Sequence, residues 1–129
     1  MINVFIPHRW IYDDYEKISA LLDRTQFNVR DYSVPINRKL EKIDGRYNVD
    51  PQIRNKILLS SVIIVSNRPG NSNGMTIDEV KYARSIGKPI VAIKIVDNCN
   101  TIITEMGVDV IPCRKDSLED WISANVYSI

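Results

Sequence analysis

The chain has 129 residues, enough for a single buried core, so we expect one domain over residues 1–129. Its 17 basic and 16 acidic residues nearly cancel, which argues against nucleic acid or an anionic membrane as a partner. We find no recognisable secretory signal and no apolar run near the ~20 residues that cross a bilayer. These features predict a cytoplasmic protein.

Short apolar runs alternate with helical patterns along the chain. Residues 2–6 predict a buried first strand, and residues 27–32 alternate apolar and polar side chains as in a second, more peripheral strand. The helix between them can be capped by Asp13 or Asp14, and it has apolar side chains at helical spacing. Such alternation of strand and helix is typical of a parallel sheet covered on both faces.

The connection formed by residues 33–50 is unusually long. It is rich in charged residues and contains Pro35 and Gly45, so we expect it to be functional or mobile. The helix after it should begin at Pro51, because proline suits the first helical position. The apolar side of this helix is predicted to contain Ile53, Ile57 and Leu58.

The second half of the chain continues the same alternation. Residues 62–65 are wholly apolar and predict a central third strand. The remaining predicted elements are a loop at 67–74, a helix from near Thr76 to Gly87, a strand at 89–95, a weak helix at 101–106, a strand at 108–111 and a helix at 116–126. We therefore predict an α/β fold, a three-layer flavodoxin-like sandwich whose five parallel strands lie in the order 2-1-3-4-5.

That strand order places a ligand crevice between the first and third strands, outside their carboxyl ends. Trp10 can stack on a ligand ring there, and His8 and Arg9 can hold phosphate oxygens. The substrate-binding candidates at this edge are His8, Arg9, Trp10, Asp13, Tyr32, Ser66, Asn67 and Arg68. Alternatively, His8, Arg9 and Arg68 are solvated loop residues, and Trp10 covers the edge of the core.

Glu79 is the candidate catalytic residue, because it opens the helix that follows the third strand. A carboxylate without a metal can assist cleavage of the bond between nicotinamide and ribose in NAD, since it stabilises the positive charge that develops on the sugar. The competing interpretation is a capping box, in which Thr76 caps the helix and Glu79 bonds back to a backbone N–H.

Other chemistries lack the residues that they need. The only histidine is His8, and Cys99 and Cys113 form no C-x-x-C pair, so we predict no metal site. A glycine-rich phosphate loop and a nucleophile elbow are both missing from the sequence. A phosphorylated receiver domain is also disfavoured, because it requires acidic residues at the ends of the first and third strands.

Several segments resemble the bacterial TIR-like family that includes the Thoeris antiphage defence proteins. The resemblance extends from residue 2 to about residue 126. It is carried by Phe5-Ile6-Pro7-His8-Arg9-Trp10, Tyr12-Asp13-Asp14-Tyr15, Asp31-Tyr32-Ser33-Val34-Pro35, the strand at 61–65, Ile77-Asp78-Glu79-Val80 and Gly87-Lys88-Pro89-Ile90. Pro7 and Met75 depart from the family, which usually has serine and often tryptophan at these positions.

The resemblance implies a TIR-like enzyme that cleaves NAD as its substrate, without a cofactor, and makes an ADP-ribose-derived signal. Glu79 would be the catalytic glutamate, and His8, Arg9 and Trp10 the substrate-facing loop. The signal would diffuse to an effector protein, and assembly as a homo-oligomer is compatible with the resemblance. Two alternatives remain open, a non-enzymatic TIR-like interaction module and an enzyme like the nucleoside deoxyribosyltransferases, whose carboxylate is a covalent nucleophile.

Overall fold

The fold is built on a five-stranded parallel sheet. The computed structural model describes residues 1–8, 12–33, 51–69 and 75–127. Within them, the strands lie in the order β2-β1-β3-β4-β5, and every neighbouring pair is parallel. Their bounds are β1 Ile2–Phe5, β2 Val29–Asp31, β3 Val62–Ser66, β4 Ile90–Lys94 and β5 Asp109–Pro112. The predicted flavodoxin-like α/β architecture and strand order are confirmed.

Helices cover both faces of this sheet. Their bounds are α1 Asp14–Arg24, α2 Pro51–Leu59, α3 Met75–Ser85, α4 Thr101–Glu105 and α5 Lys115–Asn125. α1 and α5 pack on one face, and α2, α3 and α4 pack on the other. None of the helices in the described ranges is long and apolar enough to span a bilayer.

The two faces of the sheet bury separate apolar cores, and β3 contributes to both. Val62 and Ile64 pack with α1 and α5, whereas Ile63 and Val65 pack with α2 and α3. Alternate side chains of a strand point to opposite faces, so a strand covered on both sides has no polar position. This explains the wholly apolar run, and β3 is the middle strand of the sheet.

Two sequence predictions about element boundaries and faces were wrong. The second strand is limited to Val29–Asp31, at the edge of the sheet, rather than extending over 27–32. Leu58 does not lie on the apolar side of α2, because its side chain is 56% exposed while Ile53 and Ile57 are buried. Ile53 and Ile57 are one helical turn apart, and Leu58 is rotated by about 100° from Ile57.

The end of α3 was predicted correctly. Gly87 has a φ of 78°, the left-handed conformation that glycine adopts without a steric penalty. Its N–H bonds to the carbonyl of Arg84, and the N–H of Lys88 bonds to the carbonyl of Ala83, both at 3.0 Å. This is a Schellman motif, which satisfies the last carbonyls of the helix.

Candidate functional site

The candidate site lies where β1 and β3 end side by side. These strands are neighbours in parallel register, with Val4 opposite Val62 and Phe5 opposite Ile63. The chain leaves β1 toward α1 and leaves β3 toward α3. The reversal of strand order between the first and third strands is therefore present, as a ligand crevice in this type of sheet requires.

Arg68 connects the two sides of this crevice. Its Nε and Nη2 atoms each donate to a different carboxylate oxygen of Asp14, at 2.9 Å in both bonds. Asp14 is only 2% exposed and is the first residue of α1. The guanidinium also lies 4.3 Å from the ring centroid of Tyr12. This planar two-bond pairing fixes the loop after β3 against the start of α1.

The ion pair shows that Arg68 is not a solvated loop charge. Hydrogen bonding to Asp14 raises the pKa of the guanidinium, so Arg68 is a permanent cation here. Its charge is already balanced by Asp14, and its stacked face is covered by Tyr12. Arg68 lies at the predicted site. Its observed contacts join the loop after β3 to the start of α1.

Glu79 is buried in the described structure without a group that balances its charge. It is the fifth residue of α3, and its residue surface is 6% exposed. Within the described residues, no hydrogen bond or ion pair reaches its carboxylate. Burial, with a smaller contribution from the charge of Asp78, raises the pKa of Glu79 to about 8. Ionised carboxylates are rarely buried without partners, because losing their hydration costs several kcal/mol (~3 or more).

The capping-box interpretation of Glu79 is not supported by this geometry. α3 begins at Met75, so Thr76 is its second residue and lies inside the helix instead of at the cap position. The carboxylate of Glu79 makes no described bond back to the backbone of Thr76. The two side chains have the spacing of a capping box without its hydrogen bonds.

His8 is held at the end of β1 by backbone and ring contacts. Its Nδ1 atom lies 2.6 Å from the carbonyl oxygen of Ile6, and its ring lies 4.6 Å from the ring of Tyr15. Burial lowers the pKa of His8, although nearby carboxylates act in the opposite direction. His8 is therefore neutral near pH 7, which favours hydrogen bonding by an uncharged ring over binding of phosphate by a cation.

Asn67 is buried and shapes the loop that follows β4. Its Oδ1 atom accepts the backbone N–H groups of Ile95 and Val96 at 2.9 and 3.1 Å. Its Nδ2 atom donates to the carbonyl of Val96 at 2.8 Å. These bonds occupy both ends of the amide. Asn67 was predicted to bind substrate, and its observed contacts are structural.

The other predicted substrate-binding residues differ in exposure. Ser66 is buried and accepts the backbone N–H of Arg68 at 3.1 Å, while Tyr32 packs at the edge of the α2 and α3 core. Asp13 is exposed, precedes α1 without a side-chain capping bond and pairs with Lys17 at 3.5 Å. Arg9 and Trp10, like most of the predicted loops at 33–50 and 67–74, lie outside the described residues.

Sequence reasoning missed three residues that organise this region. Asp14 was considered only as a helix cap, and it is the buried partner of Arg68. Tyr15 and Asp31 hydrogen bond to each other beside His8. The pattern of acidic residues near the start of α1 offered a weak signal for Asp14, whereas the pairing of Tyr15 with Asp31 depends on strand neighbours that are distant in sequence.

Comparisons with known proteins and a search for metal ligands gave negative findings. The chain matches no protein-family model and no curated protein. The described residues contain no group of three or more histidine, cysteine or acidic side chains arranged to hold a metal ion. The function of the chain must therefore be inferred from the site itself, and above all from Glu79.

Proposed function

We propose that this chain is a TIR-like enzyme that cleaves NAD at the bond between nicotinamide and ribose, with Glu79 as the catalytic carboxylate. The ADP-ribose part would be released or converted into a signal for an effector protein in antiphage defence, in the cytoplasm. The observation that carries the proposal is the burial of Glu79, without a described hydrogen-bond or ion-pair partner, in the first turns of α3, the helix that follows β3.

This arrangement costs stability, which points to a functional reason for it. A glutamate whose pKa is raised from 4.5 to about 8 must take up a proton, or remain charged in an apolar setting, when the chain folds near neutral pH. Each pKa unit corresponds to about 1.4 kcal/mol. Strongly shifted carboxyl groups in a cleft are candidates for catalysis because active sites tolerate such costs.

The chemistry of NAD suits a carboxylate of this kind. When the bond between C1′ of the ribose and the nicotinamide nitrogen breaks, its electron pair stays with the nitrogen and the ring leaves as a neutral molecule. Positive charge develops on the ribose until water, or a hydroxyl group in the case of a derived product, adds to C1′ and gives up its proton. A negative group in a buried site stabilises that charge more strongly than it would in water. Within the described residues no cation pairs with Glu79, so once the carboxyl group has lost its proton its charge can act on the sugar.

The raised pKa of Glu79 implies that substrate binding and proton loss are coupled. The nicotinamide ring of NAD is cationic, and a nearby cation favours the ionised form of a carboxyl group. Binding of NAD should therefore lower the pKa of Glu79 and release a proton. Burial keeps the carboxyl group of Glu79 protonated until NAD binds, and no ion pair within the described residues competes for it.

Incubation of the purified chain with NAD tests the proposal directly. We expect free nicotinamide together with ADP-ribose or a product derived from it, separated by chromatography and identified by mass. Protein purified from infected cells is compared with protein from uninfected cells, so that an activity that requires a trigger is also detected. If nicotinamide is released under neither condition, the chain is not an NAD-cleaving enzyme, and a non-enzymatic interaction module takes the place of this proposal.

A further inference from the structure

A closed circuit of contacts surrounds His8 at the ends of β1 and β2. The Tyr15 hydroxyl donates to Oδ2 of Asp31, and Oδ1 of Asp31 accepts the backbone N–H of Ser33 at 2.8 Å. The Ser33 hydroxyl oxygen accepts the N–H of Ile6 at 2.9 Å, and the carbonyl of Ile6 contacts Nδ1 of His8 at 2.6 Å. The ring of His8 returns to the ring of Tyr15 at 4.6 Å.

This circuit determines which ring nitrogen of His8 carries hydrogen. A backbone carbonyl oxygen can only accept, so Nδ1 of His8 must be the donor to Ile6. Nε2 then has no hydrogen in the neutral ring and can only accept. The tilted contact with Tyr15, at 32° between ring planes, holds the imidazole in one orientation.

We propose that Tyr15 and Asp31 are positioning residues that hold the ring of His8, with a hydrogen on Nδ1, at the edge of the substrate site. The assignment of His8 to a substrate site rests on the proposed function. Ligand groups that donate a hydrogen bond, such as a sugar hydroxyl or an amide N–H, match this form of the ring. A phosphate oxygen does not, because it requires a donor.

The carboxylates around His8 act against its burial. Asp14 and Glu16 on α1 and Asp31 at the end of β2 each raise the pKa of His8 and so favour the imidazolium. Asp14 is paired with Arg68, and Asp31 already accepts from Tyr15 and the Ser33 backbone. Burial lowers the pKa of His8 against the hydrogen bond to Ile6 and the three carboxylates, and the ring of Tyr15 contacts the imidazole, so removing that ring should make protonation of His8 easier.

His8 is the only histidine in the chain, so nuclear magnetic resonance of its ring nitrogens reports on this site alone. In wild type we expect the hydrogen on Nδ1 and a titration midpoint below 6.5. Tyr15→Leu should move the midpoint upward and mix the two neutral forms. Tyr15→Phe keeps the ring contact but loses the hydrogen bond to Asp31, so its spectrum should lie between those of wild type and Tyr15→Leu. Tyr127→Leu is the control, because Tyr127 is 51% exposed and contacts Phe27 instead.

The proposal is overturned if wild-type His8 carries its hydrogen on Nε2, or if Tyr15→Leu titrates like wild type. Should Tyr15→Leu fail to fold, a folded Tyr15→Phe whose ring-nitrogen spectrum is indistinguishable from wild type also overturns it. These spectra need no NAD, so they remain informative if the proposed function fails. If NAD is cleaved, Tyr15→Leu should lower kcat/KM by a factor on the order of 10 to 100, mainly through KM, and Tyr15→Phe should restore most of it.

Discussion

Arg68 and Asp14 form a two-bond ion pair across the crevice between β1 and β3, with both bonds at 2.9 Å. Asp14 is almost completely buried, and Arg68 is about one-fifth exposed. The pair joins the loop after β3 to the first turn of α1. The two sides of the candidate site are therefore held together by a partly desolvated charge pair.

Replacing Arg68 with methionine should destabilise the protein, because it leaves the carboxylate of Asp14 buried without its cation. We expect the free energy of unfolding to fall by about 3 kcal/mol, measured by urea unfolding at neutral pH. Lys17→Met is the matched control, because it removes the exposed partner of Asp13 and should change stability by less than ~1 kcal/mol. Equal effects of the two variants would show that Arg68 and Asp14 are not coupled.

Glu79 should make the stability of the protein depend on pH between about 4.5 and about 8. The folded pKa lies above the unfolded value, so the folded state binds more protons in this window and stability falls as the pH rises. Glu79→Gln cannot ionise and should lack this contribution. The advantage in stability of Glu79→Gln over wild type should therefore grow from about pH 5 to about pH 8.

Asp78→Asn provides the comparison for this pH effect, because it removes a neighbouring carboxylate that is only partly buried. It should reduce the pH dependence slightly, since the charge of Asp78 is the smaller of the two causes of the raised pKa of Glu79. Parallel stability curves for wild type and Glu79→Gln from about pH 5 to about pH 8 would contradict the raised pKa.

The two sides of α2 should respond differently to truncation. Ile57→Ala removes a fully buried side chain from the core shared with β3 and should lower the free energy of unfolding by ~2–5 kcal/mol. Leu58→Ala removes a side chain that is 56% exposed and should cost less than ~1 kcal/mol. Thermal or urea unfolding measures both, and a larger loss for Leu58→Ala would mean that α2 is rotated from the position described.

The strand order could be predicted because the strands themselves carry its signal. Residues 62–65 are apolar at every position, which happens only when both faces of a strand are covered. The edge strand was harder to delimit, since Val29–Asp31 is mostly exposed and its ends depend on pairing with β1. Leu58 was misplaced because it directly follows Ile57, and spacing alone does not decide which of two adjacent apolar residues faces the core.

The candidate site was only partly predictable for a different physical reason. The position of Glu79 follows from the order of elements, but its burial and raised pKa depend on packing that spacing cannot reveal. Asn67 and Arg68 were located at the correct strand end, whereas their partners, Val96 and Asp14, are 29 and 54 residues away. Contacts at such separations arise from the tertiary fold and leave no local pattern.

The central claim is that the negative charge of Glu79 drives NAD cleavage, and one comparison tests it most directly. Nicotinamide release is measured for wild type, Glu79→Gln and Asp78→Asn under conditions in which wild type is active. We predict that Glu79→Gln remains folded and loses activity by a factor on the order of 100 or more, while Asp78→Asn keeps most of it. Equal rates for wild type and folded Glu79→Gln would contradict the account.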